Sequence, residues 1–180
     1  MPDLQFKVVG MEAADAVGSS ELRLKLEIRN LCAEEQVHSI ALTIQLQIEP
    51  ARRRYSEQEK QALNDLFGET SRWPSTVRPL YWTTLKGAVP AFVGATQVEL
   101  RVPCNLEPGV AAEKYLSALE AGEVPIILLF SGRVMYVRDI SLQMRPIPWS
   151  QEATCRIPVD MIKRNRLGSP EDEFAGRGAA

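Results

Sequence analysis

Residues 21–30, ELRLKLEIRN, decide the reading of the fold. Leu22, Leu24, Leu26 and Ile28 occupy one phase, and Arg23, Lys25, Glu27 and Arg29 the other. Side chains alternate across a β-strand, so this period of two gives one buried face and one wetted face. Residues 39–50, SIALTIQLQIEP, repeat the pattern with Ile40, Leu42, Ile44, Leu46 and Ile48 inward. The link between them, residues 30–36, is short and polar. That spacing predicts that the two strands pair antiparallel as a hairpin.

Further strand-like runs follow outward from this pair. LQFKVVG (4–10) opens the chain, and TQVELRVPC (96–104) alternates with Val98, Leu100, Val102 and Cys104 inward. VPIILLFSG (124–132) is apolar on both phases, which predicts a central strand covered on both faces. RVMYVRD (133–139), ISLQMRP (140–146) and TCRIPV (154–159) complete a count of eight or nine, with Asp139 marking a turn. Two helices interrupt the strands. In SEQEKQALNDLFG (56–68), Ser56 and Glu59 stand at capping-box spacing, Ala62, Leu63, Leu66 and Phe67 form a stripe, and Gly68 suits the C′ position. In PGVAAEKYLSALEAG (108–122), Val110, Tyr115, Leu116 and Leu119 share a face and Gly122 closes the segment. Long apolar phases need a second sheet to cover them. The expected fold is therefore mainly β: an antiparallel β-sandwich, immunoglobulin-like or related, with two short inserted helices. An open sheet with both helices on one face is the alternative. One domain spans 1–165. Residues 166–180 are expected to be a mobile C-terminal tail, because KRNRLGSPEDEFAGRGAA offers little to bury.

Composition excludes several functions. The chain has 180 residues, 45% apolar and 24% charged, a profile suited to one folded domain. Its net charge is −2, so it lacks the basic excess of a dedicated nucleic-acid binder. It shows no transmembrane run and no secretory signal, which points to the cytoplasm and to no membrane partner. The three cysteines, Cys32, Cys104 and Cys155, are far apart, without metal-ligand spacing, and read as reduced thiols. His38 is the one histidine and has no motif around it. Ser131 lacks the G-x-S-x-G frame, and no phosphate-loop glycine pattern occurs. Hence no catalytic residue, cofactor or metal site is expected.

The unusual stretch is residues 49–84. It gathers Arg52, Arg53, Arg54, Arg72 and Arg78 with Tyr55, Phe67, Trp73, Tyr81 and Trp82. Arginine beside aromatics is the composition of interaction surfaces, and the guanidinium fork also suits a carboxylate or phosphate. Three readings stay open. The aromatics can pack the helix on the sheet while the arginines pair with Glu57, Glu59, Asp65 and Glu69. The stretch can instead form a partner surface, or an anion or ligand pocket. The residues picked for partner binding are Arg52, Arg53, Trp73, Arg78 and Trp82. A homodimer is a further way to protect the edges of long amphipathic strands.

Residues 48–83 (IEPARRRYSEQEKQALNDLFGETSRWPSTVRPLYWT), 89–132 (VPAFVGATQVELRVPCNLEPGVAAEKYLSALEAGEVPIILLFSG) and 148–159 (PWSQEATCRIPV) carry a resemblance. Through them the chain resembles a family of uncharacterised bacterial proteins, a domain of unknown function. The resemblance runs from about Leu4 to Val159 and includes no catalytic motif. It implies a gene neighbourhood beside actinobacterial-type, high-affinity [NiFe]-hydrogenases. It therefore implies a non-catalytic accessory or scaffold role, with a hydrogenase subunit or maturation factor as the protein partner. The alternative is a small-ligand-binding protein or an enzyme with an unfamiliar site. Members of that family continue into a tryptophan-rich helical segment, where this chain departs into MIKRNRLGSPEDEF.

Overall fold

A computed structural model of the chain describes residues 1–14, 20–104 and 111–166. Beyond Arg166, the expected tail lies outside the described residues. Eight strands are described: β1 (Leu4–Ala13), β2 (Glu21–Asn30), β3 (Val37–Ile48), β4 (Leu80–Val89), β5 (Ala95–Pro103), β6 (Glu123–Arg138), β7 (Ser141–Pro146) and β8 (Glu152–Pro158). They form two antiparallel sheets, β1-β2-β5 and β4-β3-β6-β7, with β8 also on β6. The architecture is the expected antiparallel sandwich. Its core is made by the period-two phases: Leu22, Leu24, Leu26 and Ile28 from one sheet, and Ile44, Leu46 and Ile48 from the other, are all fully buried. Each such side chain contributes about 1.5–3 kcal/mol by leaving water. The two sheets approach one another at two corners, β1 beside β8 and β4 beside β5, without pairing there.

The expected β2–β3 hairpin is not formed. β2 pairs with β1 and β5, and β3 with β4 and β6, so residues 31–36 carry the chain across to the other sheet. The physical reason is the one that made both strands legible. Each has a full apolar phase, and facing one another across the core covers both at once. Buried Asn30 fixes the crossover: its side-chain oxygen accepts from Asp3 N (3.0 Å) and Cys32 N (3.2 Å), and its amide donates to Glu35 O (3.1 Å).

β6 merges two expected strands into one of 16 residues. It is central, as expected. Its inner face is sealed, but Ile127 and Leu129 on the outer face are only half-buried. Its outer neighbour changes partway along: β8 pairs up to Leu129, and β7 begins at Arg133. Gly132 lies at the change, with φ +127.

β4 was not anticipated. Its register steps from Leu46↔Thr83 to Gln47↔Tyr81, which leaves Trp82 as an extra, bulged residue. Trp82 turns inward along with Leu85 and Val89, so the buried positions lose their alternation.

The helices also differ in detail. The expected helix at 56–68 is two short ones, α1 (Glu57–Ala62) and α2 (Asn64–Phe67), broken at Leu63 and closed by Gly68 at φ +76. The Ser56–Glu59 capping box is present. The segment then makes a 3-10 turn and α3 (Trp73–Thr76). The second expected helix is α4 (Ala111–Ala118), burying Tyr115 and Leu116; Val110 lies outside the described residues. A further helix, α5 (Val159–Arg166), follows β8 and buries Val159 and Ile162.

Candidate functional site

The insertion between β3 and β4 carries the arginines and aromatics, and it is anchored from within by Arg53. Of the three consecutive arginines, Arg52 and Arg54 are exposed and Arg53 is interior. Arg53 is in extended backbone, and its side chain is 7% exposed. Its Nη2 donates to Glu59 Oε1 (3.1 Å), Glu59 Oε2 (2.9 Å) and Ala121 O (3.0 Å). Its Nη1 donates to Glu123 O (3.3 Å) and its Nε to Arg54 O (3.1 Å). Glu59 also accepts from the backbone of Ser56 and Glu120, each at 3.0 Å. One buried ion pair thus ties the insertion to the α4–β6 connection.

Burial pushes the Glu59 carboxyl up. The Ser56 and Glu120 N–H groups and the Arg53 guanidinium outweigh it, and the carboxyl ends below its ordinary 4.5. A carboxylate with a depressed folded pKa adds stability that is complete above the unfolded value and is lost as pH falls through the folded one. The thermal midpoint of the native chain is therefore expected to fall more steeply on acidification below about pH 4.3 than that of Glu59→Gln. Parallel slopes in a melting series from pH 6 to pH 3 would contradict this.

Around the ion pair stands an aromatic cluster. Tyr55 lies under the Arg53 guanidinium, 4.9 Å from carbon to ring centre. Its hydroxyl donates to Pro50 O at 2.5 Å, so the Tyr115 hydroxyl, 2.6 Å away, donates to it. Burial pushes the Tyr55 phenol up to about 12 and raises Tyr115 as well. Trp73 meets Tyr55 and Phe67 edge-on, with ring centres at 5.3 and 5.7 Å, and its Nε1 donates to Gly68 O (3.0 Å). These contacts fix one wall of a cleft of about 440 Å³ lined by Pro50, Tyr55, Lys60, Trp73, Pro74 and Val77. Ala51, Arg53 and Arg54 line both this cleft and a shallower one of about 590 Å³, where Arg52 and Arg156 join them.

The five residues picked from sequence therefore separate. Arg52 is exposed, with Nε 3.2 Å from Glu49, and Arg78 is exposed. Trp73 is half-buried in the cleft wall. Arg53 is interior. So is Trp82, which is 3% exposed and donates to Pro103 O at 3.1 Å. Sequence reasoning missed Lys60 and Val77, which are local, and Arg156, which arrives on β8 and donates to Arg52 O at 3.0 Å. Arg54, Arg78 and Arg156 have no carboxylate within ion-pair distance among the described residues. The result is an apolar, aromatic slot edged by the unpaired guanidinium of Arg54 and by Lys60, whose ammonium is 3.1 Å from Glu57; Arg78 follows the lining residue Val77 in sequence, and Arg156 belongs to the shallower cleft. The slot suits an acidic segment bearing a hydrophobic side chain.

Elsewhere the chemistry-bearing residues are dispersed. His38 is exposed, Cys32 is exposed, Cys104 is buried, and burial pushes the half-buried Cys155 thiol up to about 11. Among the described residues no cluster of three His, Cys, Asp or Glu side chains could hold a metal, and no helix is long and apolar enough to cross a membrane.

A family model described as a family of unknown function, DUF6084, matches residues 1–166. No curated protein matches the sequence. Among solved structures, a β-glucosidase from Kluyveromyces marxianus is 9% identical with a TM-score of 0.33, over 86% of this chain and 15% of the glucosidase. A late embryogenesis abundant protein solved in solution is 13% identical with a TM-score of 0.36, over 88% of this chain and 72% of that one. Likenesses this loose bear on neither the fold nor the chemistry of this chain.

Proposed function

The chain belongs to this family of unknown function, DUF6084, and we propose that it is a non-catalytic accessory or scaffold protein that grips an acidic segment of a protein partner in the Trp73 cleft. The observation that carries the reading is the slot itself: Tyr55, Trp73, Pro74 and Val77 as an apolar floor, with Arg54 and Lys60 at its edge. Aromatic floors with arginine rims concentrate binding energy, because the apolar anchor is desolvated while the rim steers opposite charge. The partner class we propose is a [NiFe]-hydrogenase subunit or maturation factor, in the cytoplasm. The motive is the gene neighbourhood implied by the resemblance of residues 48–83, 89–132 and 148–159.

Arg54, which lines the cleft, and Arg78, next in sequence to the lining residue Val77, are the residues to reverse, because both are exposed and Arg53 is not. Arg54→Glu with Arg78→Glu is expected to weaken recovery of the partner by at least about tenfold, to leave the thermal midpoint in place, and to mimic the effect of high salt. Unchanged recovery from hydrogenase-producing cells would overturn the reading. The second reading, a small anionic ligand, draws support from the shallower cleft edged by Arg52, Arg54 and Arg156. A thermal-shift screen against phosphorylated metabolites and nucleotides tests it, since a ligand bound only by the folded chain raises the midpoint.

A further inference from the structure

At the corners of the sandwich β1 packs beside β8 and β4 beside β5 without pairing, whereas β7 pairs with β6 on one side and with no described strand on the other. Its outer face is apolar where an edge strand ordinarily carries charge, and its one charged residue, Arg145, lies on the other face. Leu142 is 57% exposed and Met144 60%. They stand opposite Val137 and Met135 on the outer face of the sheet, and Ile140 projects from the hairpin tip entirely into solvent.

We infer that two copies of this chain associate through the β7 edge, in an antiparallel pairing with Gln143 on the two-fold axis. The hairpin fixes the parity. Arg138 and Ser141 are joined by the two-residue turn Asp139–Ile140, with Asp139 at φ +57. The closing pair of such a hairpin exchanges both backbone hydrogen bonds, and bonded pairs then alternate. Tyr136–Gln143 and Val134–Arg145 are therefore bonded pairs, and Leu142 and Met144 direct their N–H and C=O groups to the free edge. Pro146, which has no N–H, falls on the same outward set and costs β6–β7 no ladder bond.

A second β7 in this register sets Leu142 opposite Met144 of the second copy, and Met144 opposite its Leu142. Outward groups meet outward groups on both sides of the axis. The apolar row Val137, Leu142 runs on into Met144 and Met135 of the second copy, and the symmetric row does the same. Arg145 falls opposite Ser141 of the second copy, so no like charges face each other. An isologous contact requires this self-complementarity. The inference is independent of the cleft.

The test is sedimentation velocity on the full chain, followed by cross-linking in a Cys32→Ser background. The chain is expected to sediment as a dimer at about 100 μM, and Leu142→Arg with Met144→Arg to sediment as a monomer with its melting midpoint kept, because both side chains are exposed. Gln143→Cys is expected to form an interchain disulfide on mild oxidation, since residues on the axis are neighbours. Arg145→Cys is expected to form none, because its counterpart lies about 13 Å away along the strands. A monomeric native chain, a dimer that survives the double arginine change, or cross-linking through 145 and not 143 would each overturn the inference.

Discussion

Arg53→Ala is expected to destabilise the folded chain by about 3–5 kcal/mol, because it leaves the Glu59 carboxylate buried without its counter-ion. The loss extends beyond the ion pair. The carbonyls of Arg54, Ala121 and Glu123 lose their guanidinium donor, and Tyr55 loses the cation over its ring. For a chain of this length the midpoint should drop by on the order of 10 °C. A pH series identifies the cause. Without Arg53, Glu59 loses the guanidinium's charge and hydrogen bonds, both of which lower its pKa, so its folded pKa rises and the gap between native and variant should narrow as pH falls through the carboxylate range. A gap of about 1 kcal/mol or less at neutral pH, or one indifferent to acid, would mean that the pair does not hold the insertion.

Gly132→Ala is expected to cost more than about 4 kcal/mol, or to prevent folding. A Cβ at this position would stand 1.9 Å from the Ala41 carbonyl oxygen and 3.0 Å from its carbonyl carbon. Those are backbone atoms of β3, the central neighbour of β6, and they cannot yield without parting the two strands. The backbone at φ +127 adds strain for any residue with a side chain. Gly10→Ala is the control: its Cβ would meet the Lys25 side chain at 3.5 Å, an ordinary contact. Denaturant midpoints should separate the two by several kcal/mol, and similar midpoints would contradict the close approach of β3 and β6.

How much of this was legible depends on what a side-chain pattern can encode. Period two in residues 21–30 and 39–50 reports which face of each strand is buried, and both phases proved to be the core. It does not report the neighbour, so a short polar link read as a hairpin where the chain in fact crosses between sheets. β4 stayed hidden because the bulge at Trp82 breaks the alternation. The capping box of Ser56 and Glu59 was legible as a helix start, but the same Glu59 also receives Arg53. That second role sorts the arginine inside from its neighbours Arg52 and Arg54, and nothing in RRR as a string distinguishes them. Arg156 reaches the shallower cleft only through the pairing of β8 with β6, a contact between residues distant in sequence.

The proposed function seats a hydrogenase subunit or maturation factor in the Trp73 cleft. A photo-cross-linking amino acid in place of exposed Ala51, which lines the cleft, tests it directly, with the same group at exposed Lys86 on β4 as the comparison. A single heavy adduct is expected from position 51 in hydrogenase-producing cells, identified by mass spectrometry as such a protein and lost when Arg54 and Arg78 are reversed. Adducts from position 86 alone, or no adduct from 51 while the complex is recovered intact, would contradict it.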